Sequence, residues 1–302
     1  MQPAQADFRN GDFLGYAEQR FHRIAYTEWG DPGSPHVVVC LHGLSRQGRD
    51  FDALAAVLAQ RGCRVVCPDL VGRGRSARLA NPDDYALPQY VADMATLIAH
   101  LGVRQIDWIG TSLGGLVGMM IAAAQDAPIR RLVINDIGPS LPWSALQRIG
   151  TGLRNAPRTF PNLEAAETYL RTIHAPFGRL TDAQWRQMAT YSFVRDSAGT
   201  LTHHYDPAIG HNFRPGRIYN VGLWRYWDRI RCKVLLLRGE ESDLLPRQTA
   251  EEMTRRGPGA AFVEIAGCGH APALMDEPQI DLVVNWITQT PAVRQDRAAS
   301  SH

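Results

Sequence analysis

The sequence predicts an α/β protein built on a mostly parallel sheet with helices on both faces. Short apolar runs alternate with segments of helical periodicity over most of the chain, and the runs are apolar throughout, as strands buried on both faces are. Between about residues 138 and 224 helical segments follow one another without strands. We therefore expect an α/β core domain, residues 1–138 and 224–302, with an inserted helical cap, residues 139–223.

Each predicted strand is a short run bounded by turn residues. After a polar leader, residues 17–30 alternate as a half-buried strand does, and the turn sequence WGDPGSP follows them. The buried runs lie at 36–41, 63–68, 105–110, 130–136, 232–238 and 260–266. Helices are predicted near 50–61, 86–101, 113–125, 246–256 and 278–288.

Composition excludes several classes of protein. The chain has 302 residues, of which 45% are hydrophobic and 21% charged, and its formal net charge is +2, so neither nucleic acid nor an anionic membrane is an expected partner. No apolar stretch approaches the ~18 to 20 residues of a membrane span, and the N-terminus lacks a signal-peptide pattern, so we expect a cytoplasmic protein. The five cysteines form neither a CxxC metal motif nor an even disulfide set.

Ser112 is the candidate nucleophile. It lies in Gly-Thr-Ser-Leu-Gly, residues 110–114, a pattern that arises by chance in roughly one chain in ten of this length. Here the pattern stands between a predicted strand and a predicted helix, where a strained turn exposes the serine at the carboxyl edge of the sheet. The Leu113 amide then lies at a helix N-terminus, which favours an oxyanion.

A serine nucleophile needs a base and a third group that orients the base. His270 follows the last apolar run, in Gly-Cys-Gly-His, and Asp243 follows the run before it. We expect His270 to be the base and Asp243 the acid. Glu240, Glu241 and Asp136 are rivals for the acid, the last because it follows the preceding strand.

A second oxyanion donor is expected from the loop after an earlier central strand. His42-Gly43 ends the apolar run at 36–41. The Leu44 amide would therefore point at the same oxygen as the Leu113 amide.

These residues resemble the α/β-hydrolase superfamily, in particular its capped, esterase-like bacterial members. The resemblance covers roughly residues 17–290, and the sequences that carry it are His42-Gly43, PDLVGRGRS, GTSLGG, LLLRGEESDLL and GCGHAP. It implies the α/β-hydrolase fold with a cap, and it implies these roles: nucleophile Ser112, base His270, acid Asp243, and oxyanion amides Leu44 and Leu113. Asp69 and its neighbouring glycines look like a structural turn.

We expect a serine hydrolase that cleaves carboxylic esters, with lactones or thioesters as related substrates, through an acyl-enzyme and without cofactor or metal. Its partner would be a small-molecule ester. Two alternatives stay open: a carbon-carbon bond hydrolase of ring-cleavage diketones, and a slow-turnover binding protein on the same fold. Serine at position 112 argues against dehalogenases and epoxide hydrolases. The loose dinucleotide fingerprint that begins at Gly72 does not open a helix, which argues against a nucleotide site.

The cap is expected to form most of the substrate pocket. The candidate lining residues are Ser45, Arg46, Trp143, Phe177 and His204. Arg46 is interpreted either as a ligand for a substrate carboxylate or as a solvated surface residue. Most aromatic residues of the cap are expected to form its own small core.

Overall fold

A computed structural model describes residues 8–213 and 221–289 of the chain. In chain order its strands are β1 (Phe8–Ala17), β2 (Arg20–Trp29), β3 (Val37–Leu41), β4 (Arg64–Pro68), β5 (Ile106–Thr111), β6 (Ile129–Asn135), β7 (Ser140–Leu141), β8 (Thr159–Phe160), β9 (Phe193–Arg195), β10 (Leu201–His203), β11 (Val221–Gly222), β12 (Lys233–Gly239) and β13 (Ala261–Ile265). Its α-helices are α1 (Asp52–Gln60), α2 (Leu87–Leu101), α3 (Leu113–Ala122), α4 (Trp143–Asn155), α5 (Leu163–Ile173), α6 (Asp182–Ser192), α7 (Trp224–Trp227), α8 (Arg247–Arg255) and α9 (Glu277–Thr288). Short 3₁₀ helices lie at Gly48–Phe51, Pro82–Asp84, Ala175–Phe177 and Pro207–Phe213.

The main sheet is mostly parallel. Its eight strands follow the order β1-β2-β4-β3-β5-β6-β12-β13. The β1–β2 and β2–β4 pairs are antiparallel, and the remaining neighbours are parallel. The carboxyl ends of β3, β5, β6, β12 and β13 therefore meet at one edge, where an open parallel sheet places its ligand sites.

Both faces of the sheet are buried, because successive side chains of a central strand point alternately into two apolar cores. In β3, Val37, Val39 and Leu41 pack with α2 and α3, whereas Val38 and Cys40 pack with α1 and α9. The predicted mostly parallel sheet with helices on both faces is thus confirmed.

The segment between β6 and β12 carries α4 to α7 and two small sheets, of order β8-β10-β9 and β11-β7. It has a separate apolar cluster, in which Phe160, Trp185 and Phe193 are buried and Tyr169 and Phe177 are partly buried. The predicted cap boundaries at residues 139 and 223 stay a prediction. Residues 1–7, 214–220 and 290–302 of the predicted domains lie outside the described residues.

The predicted elements of the core agree with the structure to within a few residues, with one exception. The polar leader was expected to extend to residue 16, but residues 8–17 form β1, which pairs with β2 along its whole length. This outermost strand exposes Leu14 and Tyr16, so its sequence shows no clean apolar face.

No helix in the described part of the chain is both long enough and apolar enough to cross a membrane.

Two glycines of α4 give a matched test of the packing on this helix. A Cβ on Gly150 would lie 2.7 Å from the Phe213 carbonyl oxygen, whereas a Cβ on Gly152 would meet no atom within 4 Å. We expect Gly152→Ala to raise the free energy of unfolding by about 0.5–1 kcal/mol, because alanine is the better helix former. Gly150→Ala should lower it by about 1–3 kcal/mol through overpacking. Urea unfolding of both variants checks this, and equal changes would contradict it.

Candidate active site

Ser112 lies on a strained turn between β5 and α3. Its φ and ψ are 53° and −115°, a conformation that L-residues rarely adopt. The turn brings the neighbouring elements very close together. Glycine at position 114 allows this, because a Cβ there would lie 2.0 Å from the Leu41 carbonyl oxygen. The Ser112 N–H donates to the Asn135 carbonyl of β6 at 2.9 Å, which fixes the turn to the adjacent strand.

His270 connects the serine to a buried carboxylate. Its Nε2 lies 2.9 Å from Ser112 Oγ, and its Nδ1 lies 2.8 Å from Oδ2 of Asp136. A carboxylate oxygen can only accept a hydrogen bond. The neutral imidazole therefore carries its proton on Nδ1, facing Asp136, and its Nε2 offers a lone pair to the serine hydroxyl. The arrangement has the geometry of a nucleophile, a base and an orienting acid.

Asp136 is fully buried and begins the loop after β6. Besides His270, its carboxylate accepts from the Gly239 amide at 2.9 Å and from the Ser242 hydroxyl at 2.7 Å. These three hydrogen bonds compensate for the loss of hydration that burying a carboxylate entails.

The expectation that Asp243 orients His270 is wrong for this structure. Asp243 forms a two-point ion pair with Arg148 of α4, at 2.6 and 2.7 Å, and both side chains are half exposed. The loop after β12 instead contributes Ser242 as a donor to Asp136. Of the other rivals, Glu240 accepts from the Gly267 amide at the edge of the same loop.

The loop after β3 is held by a buried neutral histidine. The Leu70 amide donates to His42 Nε2 at 2.9 Å, so the ring proton is on Nδ1 and faces the Gly43 carbonyl at 2.7 Å. Burial, supported by the nearby charges of Arg73 and Arg46, lowers the pKa of His42 to about 3, so the ring stays neutral.

Leu44 follows on this loop, and its carbonyl oxygen accepts from Nε of the buried Arg73 at 2.8 Å. Within the described residues the Leu44 N–H donates to no protein group. Leu113 is the first residue of α3, so its N–H lacks an acceptor within the helix. Both amides belong to turns next to Ser112, whose Cβ lies 3.6 Å from the position of a Cβ on Gly43.

Ser112 and His270 open into a cavity of about 340 Å³ between the sheet edge and the segment that follows β6. Of the predicted substrate-binding residues, Ser45, Arg46 and Phe177 line it. Arg46 is buried, which contradicts its interpretation as a solvated surface residue.

Two predicted lining residues lie elsewhere. Trp143, the first residue of α4, is 49% exposed and lies outside the cavity wall. The His204 Nδ1 faces the Tyr191 carbonyl, and the preceding residue, His203, lines the cavity instead.

The sequence analysis did not identify Ser242 or Arg73 as parts of the site. Ser242 directly precedes the expected acid, and Arg73 lies within the sequence PDLVGRGRS, which suggested only a turn. The local signal for Asp136 was its place directly after a buried strand, which made it a rival and did not distinguish it from Asp243.

Residues 38–283 match the sequence model of the α/β hydrolase family. The match spans most of the chain, which therefore belongs to this family and is a hydrolase.

Three relatives illustrate the similarity. The 3-hydroxybutyrate-oligomer hydrolase of Cupriavidus necator is 46% identical over 276 residues, which cover 88% of this chain and 93% of the relative. An α/β hydrolase structure from Novosphingobium aromaticivorans is 33% identical, with a TM-score of 0.83 over 94% of this chain and 99% of that one. A hydrolase structure from Rickettsia typhi, described as putative, is 28% identical, with a TM-score of 0.86 over 94% of this chain and all of that one.

The same substitution, aspartate to asparagine, distinguishes the roles of Asp136 and Asp243. We expect Asp136→Asn to lower kcat on a nitrophenyl ester by about 10³- to 10⁴-fold, because an amide no longer holds the imidazole in the tautomer that accepts the serine proton. Asp243→Asn should change kcat by less than about threefold, since its ion pair is exposed. Steady-state kinetics of both variants test this, and the reverse order of the two losses would return the role to Asp243.

Proposed function

We propose that this chain is a serine hydrolase of carboxylic esters that works through an acyl-enzyme. The observation that carries the proposal is the hydrogen-bonded chain from Ser112 through His270 to Asp136, which opens into the cavity. The roles are nucleophile, base and orienting acid. The Leu44 and Leu113 amides form the oxyanion hole.

In the first half of the reaction, Ser112 Oγ attacks the ester carbonyl carbon while His270 Nε2 takes the hydroxyl proton. The carbonyl electrons move to the oxygen, which the Leu44 and Leu113 amides stabilise as an oxyanion. The tetrahedral intermediate then breaks the bond to the alcohol oxygen, which receives the proton from His270. The acyl group remains on the serine.

In the second half, His270 takes a proton from water, and the water oxygen attacks the acyl carbon. The new intermediate expels Ser112 Oγ, which regains a proton from His270, and the free acid leaves. The Asp136 carboxylate accepts the hydrogen bond from His270 Nδ1 and stabilises the imidazolium that forms twice in each turnover.

For the substrate class, we propose short oligoesters of 3-hydroxybutyrate or a closely related hydroxy acid. The Cupriavidus necator relative is named for its action on 3-hydroxybutyrate oligomers, and the similarity extends over 88% of this chain. A cavity of about 340 Å³ lies at the small end of the range for ligand sites, which suits a dimer or trimer better than a long chain.

Removal of the nucleophile tests the reaction. We expect Ser112→Ala to reduce hydrolysis of p-nitrophenyl butyrate and of the 3-hydroxybutyrate dimer by at least about a thousandfold, because no acyl-enzyme can form. Release of nitrophenol and of the monomeric acid are measured at steady state, and circular dichroism verifies that the variant is folded.

The wild-type chain decides between the proposed function and its alternatives. Turnover of a ring-cleavage diketone with no turnover of either ester would favour a carbon-carbon bond hydrolase. Binding of the dimer with no turnover would favour a binding protein. A burst of nitrophenol followed by a slower steady rate would support the acyl-enzyme.

A further inference from the structure

The cavity beside Ser112 has a largely apolar wall, and the polar groups in that wall are positive or neutral. Two arginines, Arg46 and Arg148, face it, together with three histidines. No aspartate or glutamate is among the residues of the described chain that line it. A ligand with a negative charge therefore fits this cavity better than a cation does.

Arg46 is the arginine that is built into the wall. Its side chain is 7% exposed, its Nε and Nη2 donate to the two carboxylate oxygens of Asp50 at 2.7 Å, and Nη1 donates to Ser192 Oγ at 2.9 Å. A guanidinium has five N–H donors, so two of them have no acceptor within the described residues. Asp50 holds one edge of the guanidinium and lies outside the cavity wall.

The charge of Arg46 acts on the cavity interior. Burial lowers the pKa of His174 and His203, and the positive charge of Arg46 lowers both further. The same charge opposes the rise in the pKa of Tyr205 that burial causes. All three residues line the cavity together with Arg46, so the positive charge of Arg46 lies close enough to act on groups of the cavity wall.

Other cavity groups lack hydrogen-bond partners. Within residues 8–213 and 221–289, neither the hydroxyls of Tyr169 and Tyr205 nor the ring nitrogens of His174 have a hydrogen bond to protein side chains or backbone. Such groups are satisfied when a polar ligand enters.

We propose that Arg46 binds the free carboxylate of the substrate, so that the chain selects hydroxy-acid oligoesters with an unblocked carboxyl end and releases one hydroxy acid from that end. This proposal rests on the proposed ester hydrolysis at Ser112. The hydroxy acid is the alcohol that leaves when the acyl-enzyme forms, and its oxygen receives the proton from His270. No further reactant is needed.

The distances support this assignment. In a 3-hydroxybutyrate ester, four bonds separate the ester carbonyl carbon from the carboxylate carbon of the leaving unit, which is about 5 Å when extended. Ser112 Cβ and Arg46 Cγ lie 3.6 and 3.8 Å from the same point, the position of a Cβ on Gly43. The side chains of Ser112 and Arg46 thus approach the same point beside Gly43, so the nucleophile and the buried arginine belong to the same part of the cavity wall.

Arg148 is the less suitable partner. Both arginines form a two-point ion pair with a carboxylate, but the Arg148 side chain is 55% exposed, so water screens its charge more than that of Arg46, which is 7% exposed. Arg148 has the same side chain as Arg46 and lines the same cavity, so Arg148→Met is the matched control for Arg46→Met.

The first test uses the wild-type protein. We expect kcat/KM for the 3-hydroxybutyrate dimer to exceed that for its methyl ester by about 10- to 100-fold, the range for a charge-assisted hydrogen-bonded pair. Acetylation of the free hydroxyl of the dimer should leave kcat/KM within about threefold of the value for the unmodified dimer. In addition, 3-hydroxybutyrate should inhibit p-nitrophenyl butyrate hydrolysis at least tenfold more strongly than its amide does.

The variants then test whether Arg46 is responsible for the preference for a free carboxylate. In Arg46→Met the ratio of kcat/KM for the dimer to kcat/KM for its methyl ester should fall to near one, mainly through a higher KM for the dimer. Arg46→Lys should restore part of the preference, and Arg148→Met should keep most of it. Circular dichroism is compared for all three, and if Arg46→Met does not fold, the wild-type ratios and the lysine variant decide.

The outcomes separate this proposal from the proposed function. Hydrolysis of p-nitrophenyl butyrate without a preference for the free carboxylate would overturn the role of Arg46 and leave the esterase intact. Loss of the preference in Arg148→Met but not in Arg46→Met would also overturn it. Absence of ester hydrolysis altogether would refute the proposed function itself.

Discussion

The Asp136 carboxylate accepts hydrogen bonds from the Gly239 amide, the Ser242 hydroxyl and the His270 ring, and the geometry of the site depends on these bonds. They fix the loops after β12 and β13 to the end of β6. The Ser112 N–H binds the last carbonyl of the same strand. A buried carboxylate without its donors costs several kcal/mol, so the bonds needed to stabilise Asp136 also align the serine and the histidine.

The fold and two of the three aligned residues were predictable because both follow from local sequence. A strand, a small-residue turn and a helix place Ser112 at the sheet edge, and a glycine-flanked loop after the last strand places His270 there. The acid was not predictable in this way, because Asp136 and Asp243 both follow strands that end at that edge. The partner of Asp243 is Arg148, 95 residues away on the segment after β6, and no local pattern indicates it.

The pocket residues were harder to predict because their orientations depend on the packing of that segment. β10 is three residues long, too short for its alternation to be visible, and it turns His203 toward the cavity. The sequence left Arg46 as either a ligand for a substrate carboxylate or a solvated surface residue, and its polar sequence neighbours do not decide between them. Asp50, four residues further along the chain, fixes the Arg46 guanidinium, and Ser192 Oγ at the end of α6 accepts from its Nη1.

The position of Arg46 has a second electrostatic consequence. It lies two residues after Leu44, whose amide belongs to the oxyanion hole in the proposed reaction. A fixed positive charge near this loop would favour the oxyanion as well as a substrate carboxylate, and both effects are stronger where water is excluded. Asp50 partly offsets the charge, which limits the cost of burying a guanidinium. His42 and His174 stay neutral near it because burial and the same positive charge lower their pKa values. Arg46 is thus the buried arginine among the described residues that line the cavity, and a neutral ester would use only part of the stabilisation that it offers.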